Sequence, residues 1–202
     1  MRRITGAAAI VVGLPVLAAT ACSPEQNPSS EPGTTPEVKT AASAPASSEA
    51  VSVPTGESLT AHLKAADGRD VATATFEFAG GYVTVTVKTV TAGILLPGFH
   101  GLHVHEIGKC EPNSVAPIPG PPGNFLSAGG HLQAPGHTEK PESGNLTSLE
   151  VRQDGSAYLV TTTDTFTRDD LIGPNKAALI VHGAEFTDAA PDRVACGVIG
   201  AD

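Results

Sequence analysis

Strict alternation marks the clearest element of the chain. In residues 82–90, "YVTVTVKTV", Val83, Val85 and Val87 fall on one face and Tyr82, Thr84, Thr86 and Lys88 on the other. That is the period of two that a half-buried strand requires. Similar short runs recur, each bounded by turn residues. "LTAHLKA" from Leu59 precedes the turn "ADGRD", "VATATFEF" from Val71 precedes "AGG", and "GFHGLHVHEI" begins at Gly98. "LTSLEVRQ" and "SAYLVTTT" flank Asp154 and Gly155 and read as a hairpin. "KAALIVHG" and "RVACGVIG" supply the last two strands, and only residues 167–172, "TRDDLI", look briefly helical. Eight such segments predict an all-β domain, an antiparallel sandwich or flattened barrel. From Gly108 to Asn145 no periodicity holds, and a loop of that length in a compact domain marks a site. It carries Cys110, His131 and His137.

The ends of the pattern set the domain organisation. Residues 1–22 open with Arg2 and Arg3, continue through an apolar run, and finish on small residues before Cys22. This is a secretory signal, too short and wrongly flanked to remain a membrane span. A cysteine after "ATA" resembles the lipobox of bacterial lipoproteins, with Ala19 where leucine is usual. Lipidation of Cys22 would anchor the mature protein at the outer face of the cell membrane or in the periplasm. It would also leave two of the three cysteines, Cys110 and Cys196, as one pair for an oxidising compartment. Residues 23–55 are rich in Pro, Ser, Thr, Ala and Glu without an aromatic residue. They cannot bury enough apolar surface to offset ordering entropy, and read as a disordered tether with an r.m.s. span of roughly 30–35 Å. Residues 56–202 form the globular part. The formal charge of −9 excludes a nucleic-acid surface, which needs a basic patch.

Seven histidines make the chemistry. His103 and His105 alternate on one strand, so both rings project from the same face while Leu102 and Val104 turn to the core. Alone, such a pair is better explained by two partly buried, hydrogen-bonded histidines. His182 ends the apolar run "ALIVHG", where packing alone does not call for an imidazole, and His131 sits in "AGGHL", among glycines that let a loop approach closely. His62 reads as an ordinary strand residue.

"GFHGLHVHE", "SAGGH", "IVHG" and "RVACGVIG" together resemble the copper/zinc superoxide dismutases in their secreted bacterial form, in the family's order and over residues 59–200. The resemblance implies an eight-stranded Greek-key sandwich with long metal-site loops. It implies copper ligands at His103, His105, His131 and His182, with His131 at the position that bridges copper and zinc. It further implies a structural role for His100, a Cys110–Cys196 disulfide, and Arg193 as the group that docks superoxide beside copper. An always-charged guanidinium with a fixed fork of donors suits that work.

Two segments depart from the family. His137 can stand for a second zinc histidine, but in "ESGNL" Glu142 takes a histidine's place and Asn145 an aspartate's. A neutral amide is a poor zinc ligand. His137 and Glu142 are left as partial zinc ligands or as groups standing behind the copper ligands. Between His182 and Arg193 the charged loop that normally guides the anion is cut to little more than a turn, with Glu185 and Asp188 the candidates for the acid that ties the two metal sides together. Both losses occur together in copper-only relatives. The expectation is a copper-dependent superoxide dismutase without a complete zinc site, with Glu142 or Glu185 orienting His131. The alternative is an extracytoplasmic copper buffer of the same fold. The sequence leaves the oligomeric state open.

Overall fold

The structure, a computed structural model, describes residues 58–201. Eight strands form: β1 (Ser58–Ala65), β2 (Asp70–Ala79), β3 (Tyr82–Thr89), β4 (Gly98–His105), β5 (Leu149–Val151), β6 (Tyr158–Thr163), β7 (Ala177–Ala184) and β8 (Arg193–Ile199). One short α-helix, α1 (Arg168–Ile172), starts where the Asp170 carboxylate accepts the backbone N–H of Thr167, and a 3-10 turn spans Leu126–Ala128. All pairings are antiparallel in the order β5-β4-β7-β8-β1-β2-β3-β6, and the two end strands lie in contact, so the sheet curls into a nearly closed flattened barrel. β3 and β4 are consecutive in the chain but far apart in the sheet, which is the Greek-key crossing.

Alternation builds the core. Leu59, Ala61 and Leu63 of β1, Ala74 and Phe76 of β2, and Val83, Val85 and Val87 of β3 all point inward and are buried. They meet Leu102, Val104, Leu179 and Val181 from the opposite wall. β7 shows no alternation because both of its faces are covered: Ala177 to Gly183 are all buried. A second small core of Phe125, Ala128, Ala178, Ile180 and Cys196 seals its outer side under the loop that follows β4.

The segment around Asp154 and Gly155 corrects the expected hairpin. The turn forms, with Gly155 N–H donating to Arg152 O at 2.9 Å. Beyond one bond, Arg152 N–H to Ser156 O at 2.8 Å, its two arms form no ladder: β5 bonds to β4 and β6 to β3. Leu149 and Val151 are buried against one wall, while β6 extends the other, so this turn straddles the seam of the barrel.

The long loop is stitched back along β4. Leu132 N–H donates to Val104 O at 2.8 Å, Val104 N–H to Gly144 O at 2.8 Å, and Gly144 N–H to Leu132 O at 2.9 Å. Gly144 permits this approach, because a Cβ there would stand 2.2 Å from Val104 O. The result brings His131 opposite His105 and Asn145 opposite His103.

Candidate metal centre

β4 contributes two rings, the stitched loop a third, and the end of β7 the fourth. One nitrogen from each of His103, His105, His131 and His182 lies within 4.8 Å of the others. Ring centroids are 4.1 Å apart for His103 and His131, and 4.7 Å for His103 and His182. His105 Nε2 and His182 Nε2 face each other at 3.4 Å.

The protonation of these rings favours a cation. Burial is the first cause that lowers all four: His103 from 6.5 to about 3, His105 to about 2, His182 to about 4, and His131 in the same direction. Mutual repulsion between the rings and the nearby Arg193 charge add to it. The rings are therefore neutral at pH 7 and carry lone pairs. His105 Nδ1–H donates to Gly129 O at 3.0 Å, which fixes its tautomer and leaves Nε2 aimed inward. His103 Nδ1 is buried with no hydrogen-bond partner, as a ligand atom awaiting a metal would be. Four converging neutral imidazoles fit a copper ion, whose two oxidation states both accept nitrogen ligands.

The same burial makes a pH prediction. In the unfolded chain these histidines take up protons as the pH falls through 6.5, whereas in the folded metal-free protein they resist until about 4 or below. The unfolded state then binds more protons, so stability is lost on acidification and complete above that window. Urea unfolding of the metal-free protein should show falling stability from pH 6.5 toward 4 and little change above neutrality. A flat profile across that range would contradict neutral buried rings.

Arg193 begins β8 directly across from His182. Its Nη1 donates to Phe125 O and its Nη2 to Gly129 O, each at 2.7 Å. Gly129 O thus accepts from both His105 and Arg193, which holds the guanidinium in fixed relation to the histidines. The Cys110–Cys196 disulfide is formed, with Cα atoms 5.5 Å apart, and ties this loop to β8. His100 is buried and its ring nitrogens lie 2.7 Å from His182 O and 2.8 Å from Leu96 O. It clamps the segment before β4 to the end of β7. Gly183 lets the short turn after His182 close, since a Cβ there would meet Ala189 O at 1.9 Å.

The zinc-side residues do not assemble into a second cluster. Among the described residues no other group of three His, Cys, Asp or Glu side chains converges. His137 Nδ1 pairs instead with Gln133 Oε1 at 2.8 Å. Glu142 Oε2 stands 3.8 Å from His131 Nδ1, beyond hydrogen-bond reach, and accepts Asn145 Nδ2–H at 3.1 Å. Its other oxygen meets the Lys140 ammonium. Glu185 is committed elsewhere, accepting Ser148 Oγ–H at 2.6 Å, and Asp188 lies exposed in the turn. Neither expected glutamate hydrogen-bonds His131, although Glu142 stays within ion-pair distance of it. The Asn145 side chain favours a proton on His131 but makes no hydrogen bond to it: the buried His131 Nδ1 and Asn145 Oδ1 are both left without a partner. Asn145 was legible in the sequence only as a lost zinc ligand. The carbonyls of Phe125 and Gly129 carry no residue signature beyond the glycines before His131.

A β-barrel that gathers four uncharged imidazoles at one point and pins a guanidinium next to them is a metal-binding protein with a fixed cation beside its centre. Comparison with known proteins narrows this class. Residues 71–199 match the copper/zinc superoxide dismutase family. The chain is 53% identical to the copper/zinc superoxide dismutase of Mycolicibacterium paratuberculosis, over 92% of this chain and 94% of that one. It is 51% identical to that of Mycobacterium tuberculosis, over 95% and 91%. The solved copper/zinc superoxide dismutase from Brucella abortus superposes with a TM-score of 0.56 at 28% identity, covering 70% of this chain and 99% of that one. The chain belongs to the copper/zinc superoxide dismutase family, and it is a copper-dependent superoxide dismutase.

Proposed function

We propose that this enzyme dismutes superoxide at a single copper held by His103, His105, His131 and His182, without a complete zinc site, and that it works outside the cell on a lipid anchor at Cys22. The convergence of those four rings, with no second cluster among the described residues, carries the metal part of this reading. When bound, copper supplies a one-electron couple that accepts an electron from one superoxide and returns it to another, giving O2 and, with two protons, H2O2. The protein's own groups do the rest. Arg193 attracts and orients the anion, and must do so within an acidic chain that repels it at long range. Gly129 O holds the proton of His105 on Nδ1. Asn145, itself fixed by Glu142, favours a proton on the His131 ring. Lys140 in turn neutralises Glu142. In this reading Asn145 and Glu142 stand behind a ring that a zinc ion would orient by coordination.

Asn145→Ala is expected to lower turnover about tenfold with copper still bound, the usual effect of removing a group that orients a ligand. Glu142→Gln should do the same more weakly, because the amide still accepts from Asn145. Turnover by pulse radiolysis across neutral to alkaline pH measures both. An unchanged rate and pH profile in both variants would contradict the relay. A fixed arginine beside the site favours turnover over copper buffering, since storage needs no anion-docking group.

The signal, the tether and Cys22 lie outside the described residues. The anchor rests on the sequence before Cys22. In cells fed labelled fatty acid, the protein should carry the label in the membrane fraction, and Cys22→Ser should lose it.

A further inference from the structure

We propose that the outer face of β2, β3 and β6, on the half of the barrel away from the histidines, binds a linear, uncharged polysaccharide. The two halves of the barrel treat their outer faces differently. Outside β7 and β8, Ala178, Ile180 and Cys196 are buried beneath Phe125 and Ala128. Outside β2, β3 and β6 no described segment forms such a cover. There the register sets Glu77, Thr84 and Thr162 in one row, Thr75, Thr86 and Val160 in the next, and Thr73, Lys88 and Tyr158 in a third.

Threonines on a solvent-facing strand need no special account, since β-branched polar residues suit it. The aromatic and apolar residues do. The chain has two tyrosines and no tryptophan. Both tyrosines stand on this face, Tyr82 47% and Tyr158 57% exposed, with Val160 52% exposed next to Tyr158. Tyr82 opens β3, and Tyr158 pairs with Lys88, six residues further along. At the rise of a strand, the two rings are about 20 Å apart along the face. The Tyr82 ring is also held in place. It lies over the glycine turn that joins β2 to β3, so close that a Cβ on Gly80 would meet Tyr82 Cε1 at 3.2 Å. There it borders a cleft of about 310 Å³ lined by Phe78, Phe166 and Arg168 as well.

A platform ring at each end and a grid of hydroxyls between them match the chemistry of a sugar chain. Pyranose rings present C–H faces that stack on aromatic rings and hydroxyl groups that both donate and accept. Threonine hydroxyls answer them in kind. Glu77 and Lys88 oppose one another in sign, so the rows carry little net charge, and an uncharged ligand escapes the repulsion that a chain of −9 exerts on anions. A stable protein partner would need a dry apolar centre, and here Thr75 and Thr86 leave Val160 as the one apolar residue of the middle row. The face is separate from the strands that carry the histidines, so a bound glycan would hold the enzyme in place without blocking it.

With no tryptophan in the chain, intrinsic emission excited near the tyrosine maximum reports only on Tyr82 and Tyr158. The full chain is titrated with cellohexaose and with chitohexaose, both linear and uncharged, and with curved maltohexaose for comparison. The expected result is a saturable emission change with at least one linear hexasaccharide and a weaker one with maltohexaose. Tyr82→Ala should weaken binding about tenfold, the upper range for one aromatic contact, while Tyr82→Phe keeps it. Superoxide turnover should be unchanged in both variants. No emission change with any hexasaccharide overturns the proposal. So does a concentration-dependent dimer in sugar-free solution that Tyr158→Ala abolishes, because the face would then belong to a second copy of the chain.

Discussion

His105→Gln is expected to abolish dismutation and to remove copper from the protein, the largest effect of any single substitution considered. The ring is fully buried and is the most strongly neutralised of the four, held by burial and by the Arg193 charge. Its Nδ1–H is tied to Gly129 O, so Nε2 cannot turn away from the other rings. Glutamine brings its amide to about the same point, but a neutral amide is a poor donor to a metal. It would also leave Gly129 O with Arg193 as its one side-chain donor. Turnover should fall by at least about a thousandfold, beyond the range for losing one preorganised electrostatic contact. Copper per chain by mass spectrometry and turnover by pulse radiolysis should fall together. Retained copper with near-normal turnover would remove His105 from the site.

Replacing Cys110 and Cys196 by serine should have the largest effect on stability. The bridge spans 86 residues, and in the chain-entropy account its loss costs about 4 kcal/mol. For a domain of this size that lowers Tm by roughly 10–15 °C. Activity should fall as well, because the tied loop presents the carbonyls of Phe125 and Gly129 to Arg193. Calorimetry of the double variant measures the first effect and turnover below its Tm the second. A variant with unchanged Tm would show that the loop is ordered without the bridge.

Strand periodicity made much of this molecule readable from its sequence. The alternation of β3 appears unchanged as buried valines and outward threonines. The His-x-His spacing on β4 needed only the rule that every second residue shares a face, and His182 stood out because the apolar run of β7 offers an imidazole nothing else to do. What could not be read depended on partners chosen across the barrel. Local turn chemistry at Asp154 and Gly155 signals a hairpin, and nothing local tells that its arms join opposite walls. Asn145 is visible as a missing carboxylate, but its place opposite His103 depends on the loop folding back along β4 through Gly144. Glu142 lies near His131 yet spends its oxygens on Asn145 and Lys140. The carbonyls that hold Arg193 belong to backbone, which every residue has.

The central claim is one copper and no zinc at a working site. The most direct test loads the full chain with both metals in excess, removes unbound ions, counts metals per chain, and measures superoxide turnover on the same sample. The expected result is one copper, no retained zinc and rapid turnover that added zinc does not change. One copper with one tightly held zinc would contradict the account, because His131, His137 and Glu142 would then have to rearrange into a site that this structure does not hold.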